Sequence, residues 1–184
     1  YRPTHDPQDR RSRPIHRPPR AAEALPPPRT RAILPVHIFG YPCDLEPLQE
    51  IAERHGLAIV EDACEALGAT HNGRRLAGFG NPAVFGFYPN KQMTTGEGGM
   101  CLTDSAELGT SLRMLRDHGM SPDRSYWHER VGYNHRITNL QAAIGCAQLW
   151  RINATLQRNA RVATLYREAL EGIPGVRFPP AMSD

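Results

Sequence analysis

The sequence predicts an α/β fold, a mostly parallel sheet with helices on both faces. Three observations carry that expectation. Apolar runs of four to seven residues, the length of buried strands, recur along the chain. Segments with helical spacing alternate or interleave with them. Turn residues such as Gly40, Pro42, Gly56, Asn72-Gly73 and Gly78–Gly80 separate the two kinds of segment.

The first run, Arg31-Ala-Ile-Leu-Pro-Val-His-Ile38, ends in Gly40-Tyr-Pro42 and suits a buried strand followed by a turn. Leu45, Leu48, Ile51, Ala52 and His55 follow the helical period, and Gly56 stops that helix. Leu57-Ala-Ile-Val60 is a second buried strand, with Glu61-Asp62 at its end. The chain turns through Asn72-Gly73 and Gly78–Gly80 before a third strand, Ala83-Val-Phe-Gly-Phe87, which runs out at Tyr88-Pro-Asn-Lys91. Gly99-Met-Cys-Leu-Thr103 is a fourth. Leu108, Leu112 and Leu115 mark a helix closed by His118-Gly119, and two further helices are expected over 138–150 and 152–172. The former carries Leu140, Ala143, Ile144 and Ala147, small apolar residues suited to an intramolecular core or to a subunit interface. Met93, Met100, Met114 and Met120 fit as core fillers.

Composition narrows the classes. At 184 residues and 40% hydrophobic, the chain can form one packed domain, or one and a small piece. No apolar run approaches the roughly 18 residues of a membrane span, and the polar, Pro-rich start has no signal-peptide core. Cys43, Cys64, Cys101 and Cys146 form no CxxC pair and have no His at zinc-ligand spacing, which predicts reduced, buried thiols in a cytoplasmic protein and no metal. The net charge of +3 is uneven: residues 1–31 hold eight Arg against three acidic residues, together with eight of the 17 Pro. Residues 1–28 therefore read as disordered. A basic nucleic-acid-binding tail is the alternative, but Tyr1 is its sole stacking aromatic.

Of the 22 basic residues, 21 are Arg and one is Lys91. A guanidinium stays protonated and is no nucleophile at neutral pH, so the chain has one side-chain amine. Lys91 follows a strand and precedes Thr94-Thr-Gly-Glu-Gly-Gly99, whose glycines permit tight turns and close approach to a ligand. The Gly-Lys-Ser/Thr order of a nucleotide-hydrolase loop is missing. Asp62 ends another strand, where a carboxylate needs a cation or hydrogen-bond donors. It either caps a helix over Ala63–Leu67 or serves a site, since ligands of α/β sheets sit beyond strand ends. A strand-end Lys with a strand-end Asp suits pyridoxal phosphate, which is carried on a lysine amine while an acid pairs with its ring nitrogen.

Four motifs extend this. Glu61-Asp-Ala-Cys-Glu-Ala-Leu-Gly-Ala69, Phe85-Gly-Phe-Tyr-Pro-Asn-Lys91, Thr94-Thr-Gly-Glu-Gly-Gly99 and Gly132-Tyr-Asn-His-Arg136, in this order, resemble the DegT/DnrJ/StrS aminotransferases. The resemblance runs from about Arg29 to Phe178, and the wording is most similar to the branch that makes 4-amino-4,6-dideoxy sugars. It implies a partial large domain of the fold type I aminotransferases over 29–178, with 179–184 starting a C-terminal small domain. It implies a pyridoxal 5'-phosphate enzyme that transfers an amino group from an amino-acid donor, glutamate, to a nucleotide-sugar substrate. Lys91 matches the Schiff-base lysine, Asp62 the partner of the ring nitrogen, and Glu65 a cofactor or substrate contact. Asn134 matches an Asn that reaches the cofactor phosphate of the neighbouring subunit, which implies a homodimer with shared active sites.

The sequence also departs from that pattern. Gly86 stands where many members have a phosphate-binding Ser, and His135 replaces a common Tyr. Members are about twice this length, and their upstream Gly-Thr phosphate loop is not found here. The chain reads as a central piece of such an enzyme, and a catalytically incompetent fragment is the second expectation. His37 either lines the site or is a satisfied core histidine. Tyr126 and Trp127 either cover substrate or pack their own loop.

Overall fold

The computed structural model of the protein describes residues 29–179. The disorder expected over 1–28 and the small-domain start expected at 179–184 fall outside the described residues, save for Pro179. In chain order the elements are β1 (Ala32–Ile33), α1 (Leu45–His55), β2 (Ala58–Ile59), β3 (Glu61–Asp62), β4 (Thr70–His71), β5 (Arg74–Arg75), β6 (Ala83–Gly86), β7 (Gly99–Leu102), α2 (Ala106–Leu115), α3 (Asn139–Leu149) and α4 (Ile152–Leu170).

The centre of the sheet is parallel. β1 pairs with β2 in parallel, and a parallel bridge from Val36 to Asp62 continues that ladder. The amides of Ala58, Val60 and Asp62 donate to the carbonyls of Arg31, Ile33 and Pro35, and the His37 amide donates to the Asp62 carbonyl. β3 pairs in parallel with β6 on its other side, Asp62 opposite Val84, and β7 closes the order β3-β6-β7 as an antiparallel edge. The run from Arg31 to Ile38 is therefore not one strand. Pro35 has no N–H to give to a ladder, and Ile38–Gly40 folds into a 3-10 turn with Phe39 left-handed at φ 56°. Glu61 and Asp62 belong to a strand instead of following one.

Local signals explain most of the rest. Asn72 and Gly73 both take positive φ (49° and 71°), so the expected turn is the tip of a β4–β5 hairpin. Leu45, Leu48, Ile51 and Ala52 are the buried face of α1, and Gly56 ends it in the left-handed conformation; His55 is exposed. Thr138 and Gln141 form a reciprocal capping box that starts α3.

The core has two parts. Leu45, Ala63, Ala66, Leu76, Phe85, Phe87 and Met93 form one cluster, with Ile152 of α4 packed against it. Cys43, Leu48, Ala52 and Ile59 form the other, beneath α1. Three expectations about burial are corrected. Met93 and Met114 are buried, but Met100 is 50% exposed, because β7 is an edge strand. Cys43 is buried and Cys64 half-buried, whereas Cys101 and Cys146 are exposed; all four are free. Leu140 and Ile144 of α3 are exposed, with Ala143 and Ala147 beside them, and Gly145 is the buried residue of that helix. Their face is therefore not an intramolecular core, because α3 turns the Gly145 side inward. A Cβ at Gly145 would sit 3.0 Å from the Thr95 methyl, so glycine is what lets α3 approach the loop after Lys91.

Candidate active site

The carboxyl ends of β3 and β6 bring Asp62, Cys64, Glu65 and Lys91 into one neighbourhood. Asp62 Oδ1 accepts the amide of Cys64 at 3.0 Å. This side chain caps a turn, not a helix, since no helix forms over 63–67. Glu65 takes two donors on its carboxylate: the Phe39 amide to Oε2 at 2.8 Å and Lys91 Nζ to Oε1 at 3.2 Å. The Phe39 amide first, and then Lys91, hold the Glu65 carboxyl below the usual range, with the Asp62 charge opposing them. The charges of Asp62 and Lys91 also both act on Cys64, whose thiol is pushed up to about 11, mainly by burial. Cys64 is thus a neutral thiol at neutral pH and not a nucleophile.

Lys91 is held by its loop. Its amide donates to the Tyr88 carbonyl at 3.0 Å. Gln92 Nε2 donates to the Glu65 carbonyl at 2.7 Å, while Gln92 Oε1 is buried with no partner among the described residues. From α3, Gln148 clamps Thr94 at both backbone groups, accepting from its amide and donating to its carbonyl, each at 3.0 Å. Gln141 donates to the Glu97 carbonyl at 3.0 Å. The Gly-rich segment after the lysine is therefore pinned by two glutamines of one helix.

Gly86 packs beside Cys64: a Cβ there would lie 3.4 Å from both Cβ and Sγ of Cys64, at ordinary van der Waals contact.

Behind the site, His37 and Glu61 are fully buried. The Cys43 amide donates to His37 Nδ1 at 3.0 Å, so that nitrogen accepts and the ring proton sits on Nε2, facing Glu61 Oε2 at 3.3 Å. Glu61 also accepts from Asn81 Nδ2 at 2.9 Å and from the Ala77 amide at 3.2 Å. Burial alone would raise its carboxyl, but the bonds from His37, Asn81 and Ala77 outweigh it and the net shift is downward. His37 is thus the satisfied core histidine of the two readings.

The structure pairs Lys91 with Glu65, and the Asp62 charge acts on Glu65 and Cys64; among the described residues no hydrogen bond or ion pair joins Lys91 to Asp62. Asn134 lies on an exposed segment bridged to Asp117, and among the described residues no hydrogen bond joins its side chain to Lys91, Glu65 or Asp62. Sequence reasoning missed Gln92, Gln148 and the Phe39 amide. Gln92 is adjacent to Lys91 and could have been flagged; the other two reach the site only through the fold. Trp127 and Tyr126 are exposed, and Arg124 stacks over the Trp127 ring at 4.3 Å, which packs the loop on itself.

The donor set fits pyridoxal phosphate: an amine, a carboxylate at the neighbouring strand end, and an orphaned buried acceptor at Gln92 beside the lysine.

Comparison with known proteins agrees. The model of the DegT/DnrJ/EryC1/StrS aminotransferase family matches residues 15–184, beginning upstream of Arg29, where the resemblance is expected to start. The GDP-perosamine synthase of Caulobacter vibrioides is 49% identical over 148 residues, 80% of this chain and 40% of that protein. The dTDP-3-amino-3,4,6-trideoxy-alpha-D-glucose transaminase of Streptomyces venezuelae is 42% identical over 158 residues, 85% of this chain and 41% of that protein. The crystal structure of S. venezuelae DesV in complex with a ketimine intermediate superposes with a TM-score of 0.85 at 41% identity, over 90% of this chain and 44% of that one. The chain spans about two-fifths of the length of the curated relatives it matches. Its neighbours and its pairing of parallel strands place the fold with the fold type I aminotransferase large domain. The chain belongs to the DegT/DnrJ/EryC1/StrS aminotransferase family.

Proposed function

We propose that this chain is the lysine-bearing part of a pyridoxal-phosphate-dependent transaminase that moves an amino group from glutamate onto a nucleotide-linked keto-deoxy sugar, for polysaccharide or secondary-metabolite sugar synthesis. The observation that carries the reading is the chain's one lysine in the loop after β6, paired with Glu65, whose carboxylate also feels the Asp62 charge. Relatives named as nucleotide-sugar transaminases, GDP-perosamine synthase among them, support the substrate class.

In this reading Lys91 holds the cofactor, Asp62 faces its ring nitrogen, Glu65 contacts it, and Asn134 reaches the cofactor phosphate of the neighbouring subunit in a homodimer. The bound group supplies an electron sink. With its amine free, Lys91 Nζ would take the proton from the donor carbon as base and deliver it to the cofactor carbon as acid. An Arg could do neither, because its guanidinium does not give up its proton. The exposed free thiols of Cys101 and Cys146 suit a reducing compartment, and we place the reaction in the cytoplasm.

Because the chain spans about two-fifths of those relatives, a second reading is that these 184 residues alone are catalytically silent. One titration decides. Pyridoxal phosphate added to the purified chain is expected to give a visible absorbance band and a thermal shift, both lost in Lys91→Ala. A band that persists in Lys91→Ala sinks the assignment. No band and no shift in the parent chain favours the silent reading.

A further inference from the structure

Glu65 is held at three points. Its Oε2 accepts the Phe39 amide at 2.8 Å, its carbonyl accepts Gln92 Nε2 at 2.7 Å, and its Oε1 lies 3.2 Å from Lys91 Nζ. Phe39 presents its amide from a left-handed turn, φ 56° and ψ 22°, a conformation unfavourable for a bulky residue. The next residue, Gly40, passes so close that a Cβ there would sit 3.4 Å from the Glu65 carbonyl oxygen. A loose surface acid needs no such support. This carboxylate is fixed from both sides, and the cation it meets is the only lysine of the chain.

We propose that Glu65 is a built counter-ion for Lys91, a positioning residue that holds the amine as an ammonium in one place until a carbonyl ligand takes it. The proposal rests on the reading of Lys91 as the cofactor-binding residue. A carbonyl is attacked by the neutral amine, so a fixed anion 3.2 Å away slows that attack in the empty site. Glu65 is a poor proton acceptor, since the Phe39 amide and Lys91 keep its carboxyl below the usual range. Its role is therefore electrostatic.

Because the chain has one lysine, the test needs no ligand. The unliganded chain is acylated with an N-hydroxysuccinimide ester between about pH 6 and pH 10, spanning neutrality to near the ordinary lysine range. Peptide mass spectrometry separates Lys91 from the N-terminal amine. With the pair 18% and 38% exposed, Glu65→Gln is expected to react about three- to fivefold faster at neutral pH. An unchanged rate overturns the proposal. Gln still accepts the Phe39 amide; should the variant fail to fold, Lys91→Met is used with the Glu65 carboxyl followed by NMR. That titration is expected to move up toward the usual range while staying below it, and no movement overturns the proposal. A pyridoxal phosphate band that persists in Lys91→Ala would sink the reading of Lys91 as the cofactor residue and leave both measurements intact.

Discussion

Removing the Glu61 carboxylate strands three donors at once: His37 Nε2, Asn81 Nδ2 and the Ala77 amide. Each is in a buried or part-buried setting, where an unmet polar group costs more than a made bond contributes. Glu61→Ala is expected to lower stability by about 3 kcal/mol, measured by urea denaturation; a loss near zero would mean that water replaces the carboxylate. The pH dependence has a definite sign. The folded carboxyl titrates below its ordinary value of 4.5, so its contribution is complete above that value and is lost as pH falls toward the folded one. Glu61 and Asp62 are adjacent and point to opposite faces of the strand, so the buried bonds of the first fix which face carries the second. The sequence shows Glu61 as an acid in an apolar stretch. It does not show that His37, the residue after the Val36–Asp62 bridge, is its partner, because that pairing follows from the parallel register.

At the scale of elements, α3 is tied to the lysine loop by side chains, not by apolar packing. Gln148 satisfies both backbone groups of Thr94, and the Thr94 hydroxyl in turn donates to the Phe87 carbonyl and accepts the Gly96 amide. Gln148→Leu is expected to cost about 1–3 kcal/mol and to speed hydrogen exchange at the Thr94 amide selectively. Uniform acceleration across the chain would instead mean general destabilisation. The helices were legible in the sequence because periodicity and caps are local: the expected spans 138–150 and 152–172 are observed as Asn139–Leu149 and Ile152–Leu170. Strand ends were less legible. Pro35 interrupts the first run, and Glu61-Asp62 gains strand geometry from β6, a partner far along the chain.

For the whole molecule, the exposed apolar residues are the informative feature. Leu140 is 80% and Trp150 87% exposed, and Ile144 and Leu149 lie between them on α3. A monomer rarely leaves so many large side chains of one short helix in water. A homodimer of the kind proposed above would be expected to use this helix. Light scattering on the purified chain should report a dimer, and Ile144→Arg should shift it toward monomer, since a buried unpaired charge opposes association. A monomer at all concentrations in the parent chain would overturn this. The formal charge gives no such guidance, because its positive excess belongs to residues 1–31.

The sequence by itself determined the α/β class, the family and the position of the one side-chain amine, Lys91. Those depend on local periodicity, on ordered motifs and on there being one Lys among 21 Arg. The tertiary structure alone decided that the lysine is paired with Glu65 rather than Asp62, and that Asp62 caps a turn. It also decided that Cys64 packs against Gly86 and that the apolar side of α3 faces outward. The physical reason is range. Hydrophobic spacing acts within a few residues, whereas Glu65 and Lys91 stand 26 residues apart and meet only once parallel pairing has set β3 against β6.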